Sequence, residues 1–158
     1  MPRLLAVVAV VLLSIPGRGA SAVESATAAP ADVAALVGTW RAVSIEADGS
    51  TSNPDDAAKI TVINTADGGW TVLADGKLVA RGTNELTPWS VPKAIDFTVV
   101  EDAEGPVTER RHLGIYELER TTRRLCFAAA GAERPASFSA PRGSGLVLVT
   151  LERIADPR

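Results

Sequence analysis

Cysteine, histidine and aromatic residues are scarce in this chain of 158 residues: one cysteine, one histidine, three Trp, three Phe and one Tyr. Cys126 alone excludes an internal disulfide, and its depth in the chain excludes a lipid-modified cysteine at an export cleavage site. Stability has to come from a packed core. His112 alone excludes paired-histidine metal sites and leaves any acid-base or nucleophilic scheme dependent on one imidazole. Also missing are a phosphate-binding Gly-rich loop ahead of a helix, His-Glu-x-x-His, Cys-x-x-Cys and Gly-x-Ser-x-Gly. An enzyme reading therefore has no support, and the chain is read as a non-enzyme without a cofactor.

Long apolar runs are confined to the first residues. Arg3 supplies a positive n-region, Leu4 to Ile15 is apolar, Pro16 and Gly17 break the run, and Ala20-Ser21-Ala22 has the small-x-small pattern of a cleavage site. The reading is a signal peptide over residues 1–22, cut after Ala22, and an exported protein in the periplasm or outside the cell. A run of about 12 apolar residues falls short of the roughly 20 that span a bilayer, so no membrane span is expected after cleavage. Losing Arg3 and Arg18 leaves 14 basic against 19 acidic residues. That balance argues against nucleic acid or an anionic membrane surface as a partner, because both attract accumulated positive charge.

Residues 23–35 are small, polar and Pro-containing and read as a flexible N-terminal segment, with Asp32 as a cap for a short helical turn through Leu36. From residue 36 to 155 the punctuation changes to turn signals every 8 to 12 residues between short β-rich runs. The clearest hairpin is Trp70–Ala74 and Lys77–Thr83 around Asp75-Gly76, the pair a type I′ turn demands. Six more runs are Thr39–Ala47, Lys59–Thr65, Ala94–Glu101, Arg111–Glu119, Arg124–Ala129 and Leu146–Ile154. Eight consecutive strands joined by turns predict an all-β, up-and-down antiparallel barrel whose interior holds side chains or one small ligand.

Alternation assigns faces. Leu78, Ala80, Gly82 and Leu86 are expected inside and Arg81, Thr83 and Glu85 outside; Ile95, Phe97, Val99, Tyr116, Leu118, Leu125 and Phe127 are also expected inside. The first and last strands alternate poorly, which predicts a bulge or coverage on both sides. Asn53 followed by Pro54 predicts a short capped helix near a barrel mouth. Cys126 points away from Leu125 and Phe127, so it is expected either to pack outside the main core or to contact a covering segment such as 135–141.

Gly38-Thr39-Trp40 resembles the Gly-x-Trp signature of lipocalins, in which an Arg of the last strand packs over the Trp ring, and Arg153 stands at the matching place. The wider pattern adds Asp75-Gly76-Lys77, Lys93-Ala94-Ile95-Asp96, Leu113 through Leu118, Leu125-Cys126-Phe127-Ala128, Glu133-Arg134-Pro135, Phe138 and Gly143-Ser144-Gly145. Together they resemble an uncharacterised bacterial lipocalin-like domain family, from about Leu36 to Arg153. Ala129-Ala130 departs from it, since the family tends to have prolines there. The resemblance implies a barrel behind a signal peptide, with no assigned activity or ligand.

The residues singled out for ligand contact are Trp70, Phe97, His112, Tyr116 and Phe127, with Gly38, Trp40 and Arg153 as the structural signature. His112 is read either as a polar group aimed at the interior or as a strand-end histidine with its edge in water. Arg110, Arg111, Arg120, Arg123 and Arg124 read as solvated edge and turn charges, because a full strand separates the first two from the others. Asp55-Asp56 and Glu101-Asp102 with Glu104 lack the ligand spacing of a calcium loop, so no metal is expected. Three functions fit: a monomeric barrel binding a small apolar ligand; an interaction module on an envelope protein, such as an inhibitor of an exported hydrolase, that uses residues 23–31 as an arm; or a purely structural envelope protein.

Overall fold

A computed structural model describes residues 31–155, so the leader and the segment 23–30 fall outside the described residues. Helix α1 covers 31–36. Strands β1 (Gly38–Ala47) and β2 (Ser50–Thr51) are followed by α2 (Pro54–Ala57), and then by β3 (Ile60–Asn64), β4 (Gly69–Ala74), β5 (Lys77–Thr87), β6 (Ala94–Asp102), β7 (Gly105–Leu118), β8 (Thr122–Phe127) and β9 (Val147–Arg153). From β3 onward each strand pairs antiparallel with the next, and β9 returns to β1 with Arg153 opposite Trp40. The result is a closed eight-stranded barrel, with β2 as a two-residue addition to the end of β1.

Turn chemistry sets the local geometry. Asp75 and Gly76 both have positive φ, 49° and 77°, and Asp48-Gly49 repeats the device between β1 and β2 with 50° and 73°. Asn53 caps α2 by accepting a hydrogen bond from the Asp55 amide, and Pro54 sits in the first turn. Gly82 is demanded by packing: a Cβ there would lie 1.7 Å from the Thr98 carbonyl oxygen and 3.0 Å from the Trp70 ring.

Bulges explain where alternation fails. The register between β1 and β9 shifts between Ala42 and Ser44, so Trp40, Ala42 and then Ile45 all reach the interior and the uneven first strand is accounted for. A second shift between Val72 and Leu73 places Leu78 opposite Leu73 and leaves Val79 extra. Leu78, expected inside, therefore shares the face of Leu73 across from the cavity-lining Val72 and Ala80, and Val79 takes an inner place.

Two cores result. Trp40, Ala42, Ala57 and Leu151 form an inner cluster, joined by Ile45, Ile60 and Leu118. Outside the barrel wall, Ile115, Cys126 and Leu148 are covered by Phe138, Ala140 and Leu146 from the long connection between β8 and β9. Cys126 Sγ lies 3.5 Å from the Ser139 carbonyl oxygen, and burial pushes its thiol pKa up. That connection is anchored by Arg134, which donates to the Gly114 carbonyl at 2.7 Å and pairs with Asp96 at 2.6 Å.

Candidate functional site

In an antiparallel barrel, the start of β1 and β8 and the end of β3, β7 and β9 gather at one rim. Trp40 is fully buried there, donates from Nε1 to the Leu36 carbonyl at 2.9 Å and lies under the Arg153 guanidinium, 4.2 Å from its ring centroid. Arg153 also donates to the carbonyls of Val37 (2.7 Å), Arg120 (3.2 Å) and Ala35. Gly38 belongs to this arrangement, since a Cβ would stand 2.6 Å from Arg153 Nη1.

Asp32 ties the helix down on the same rim. Instead of opening the helix as a cap, it lies within α1, and its Oδ2 accepts from Tyr116 Oη at 2.5 Å and Lys93 Nζ at 2.8 Å. Burial, with Asp32 adding to it, pushes the Tyr116 phenol pKa up. This end of the barrel is closed.

Above it lies an internal cavity of about 290 Å³. Four of the five expected ligand residues line it: Trp70, Phe97, His112 and Phe127. Phe97 is the hub, stacked on His112 at 5.1 Å and meeting Trp70 and Phe127 edge-on at 5.8 and 5.1 Å. His112 Nδ1 is 3.0 Å from the Ala128 carbonyl, and because a carbonyl only accepts, that nitrogen carries the proton. Trp70 satisfies its indole N–H on the Thr83 carbonyl at 2.9 Å. Tyr116, the fifth, faces inward at the closed rim but is taken up by Asp32 and is absent from the cavity lining. Ile45, Ile60 and Val72 continue the apolar wall toward Val79, which is 40% exposed and marks the mouth.

Sequence reasoning missed the polar part of this cavity. Arg123, expected as a solvated turn charge, is 4% exposed and lines the interior, because β8 starts at Thr122 and alternation from Leu125 turns Arg123 inward. Asn64, at the end of β3, is 3% exposed and lines it too. Among the described residues, Nε and Nη1 of Arg123 and both side-chain polar atoms of Asn64 have no hydrogen-bond partner. Burial pushes the Arg123 pKa down to about 10, which leaves it charged at neutral pH. Of the other arginines of that group, Arg111 and Arg124 sit on the outer face, paired with Asp96 and Glu117, while Arg110, opposite the cavity-lining Val99, is exposed and paired with Asp102.

Among the described residues no group of three or more His, Cys, Asp or Glu is placed to hold a metal ion. No family profile, curated protein or solved structure is matched by this chain.

Proposed function

We propose that this protein is an exported, lipocalin-like barrel that holds one small, largely apolar ligand in its interior. The observation that carries the reading is the cavity itself: closed at the Trp40 rim, open beside Val79, and walled by Trp70, Phe97 and Phe127. Ligand sites are typically concave and apolar with a few polar groups that fix orientation, and this interior has that composition. The Gly38-Thr39-Trp40 signature with Arg153 over the ring supports the lipocalin-like reading, and the apolar leader ahead of Ala22 supports export.

Native mass spectrometry on protein purified without denaturation tests this reading. An organic adduct that leaves on collisional activation is the expected result. A clean unliganded mass, together with a crystal structure whose interior is filled by side chains, would contradict it.

A further inference from the structure

We propose that the ligand is a small organic acid, held by its carboxylate at Arg123 and Asn64 with its apolar body toward the Val79 mouth. This rests on the reading of the barrel as a ligand carrier and goes further by fixing ligand charge, size and orientation. A guanidinium is always ionised, and burying an unpaired ion is among the most costly things a protein interior does. Arg123 is nonetheless 4% exposed, with Nε and Nη1 unpartnered, against a cavity whose other walls are mainly Ile, Val, Phe and Trp. Asn64 is equally buried and equally unpartnered, at the end of β3, which shares a rim with the start of β8. Two unmatched polar side chains at the closed end of one apolar cavity describe the complement of a head group.

The charge count selects a carboxylate. One guanidinium supplies one positive charge and planar donor edges that suit a carboxylate's two oxygens, and the Asn64 amide adds a donor. Of the other cations on this rim, Lys93 is already engaged by Asp32, and Arg153 is turned onto the Trp40 ring and the carbonyls of Val37, Arg120 and Ala35. A dianionic phosphate would therefore bring an uncompensated negative charge into an apolar interior. Size follows from the volume: about 290 Å³ stands at the small end of ligand pockets, which start near roughly 300 Å³, so the acid is a small one and octanoate is a suitable probe.

Titration calorimetry at pH 7 with octanoate, 1-octanol and octyl phosphate tests the assignment, on the wild-type protein and on Arg123→Met. Octanoate is expected to bind wild type about tenfold or more tighter than 1-octanol, the worth of a charge-assisted pair, and tighter than octyl phosphate. Arg123→Met should abolish that preference while keeping 1-octanol. Equal affinity of wild type for octanoate and octanol overturns the proposal while leaving the ligand-carrier reading intact, and this comparison needs no variant. Tighter binding of octyl phosphate overturns the carboxylate assignment. Failure of every probe to bind overturns both readings.

Discussion

The two faces of β8 share one backbone and differ in how their polar groups are treated. On the outer face, Arg124 pairs with Glu117 at 3.0 Å and lies over the Phe138 ring, and Cys126 packs against Ala140 beneath the connection to β9. On the inner face, Leu125 and Phe127 line a cavity and Arg123 faces it without a partner for Nε or Nη1. The outer side is finished as a protein interior normally is, with charges paired and apolar groups covered. Among the described residues, the buried polar side-chain atoms without any polar neighbour lie on the inner side, on Arg123 and Asn64: Asp96 Oδ1, whose contact does not have hydrogen-bond geometry, still has Arg134 Nη2 2.6 Å away. Among the described residues, incomplete pairing is thus a local property of the cavity.

Substitutions at the two cores should separate these roles. Trp40→Ala removes the fully buried floor of the inner face, its hydrogen bond to Leu36 and its stacking on Arg153, and should cost about 4 kcal/mol in chemical denaturation. Ile115→Ala empties part of the outer core, which is 1% exposed at that residue, and should cost about 3 kcal/mol. The comparison predicts that Ile115→Ala leaves octanoate affinity within about twofold of wild type, because the outer core does not touch the cavity. A large loss of affinity would break the distinction between the faces.

Arg123→Met acts in the opposite direction. Replacing a buried, unpaired cation by an apolar side chain of similar length should raise the stability of the unliganded protein by about 1 kcal/mol or more, read as a higher melting temperature. A drop in melting temperature would mean that Arg123 holds the barrel together.

The smallest effect belongs to the ion pairs of the outer wall. Burial alone would push the Asp96 carboxyl up, but the hydrogen bond from Arg111 and the pairing with the Arg134 guanidinium outweigh burial and hold the group below its ordinary range. A carboxyl depressed in this way stabilises the fold above the unfolded-state value of about 3.9 and stops doing so as pH falls through its folded value. Asp96→Asn should therefore melt below wild type at pH 6, and the gap should shrink toward pH 3. A gap independent of pH would assign the loss to packing.

Much of the architecture was legible in residue order, because strand alternation and turn chemistry are local. The hairpin at Asp75-Gly76, the outward Cys126 under its covering segment and the inward Phe97 and Phe127 all follow from a period of two. Leu78 was misread because the register shift beside it is fixed by pairing with β4, which no local pattern reveals. Asp32 looked like a cap and became the anchor of α1, a role that depends on Tyr116, 84 residues away. Arg123 was the costlier miss: alternation from Leu125 already pointed it inward, but its place beside a turn, among other arginines, favoured the solvated reading. Charge beside a turn is usually solvated, so an exception at a cavity carries information about function.

The most direct test of the account is a crystal structure of the protein with octanoate. It predicts the carboxylate within hydrogen-bond distance of the Arg123 guanidinium and Asn64, with the alkyl chain passing Phe97 toward Val79. An interior in which Arg123 instead turns to a protein acceptor, with octanoate excluded or reversed, would contradict it.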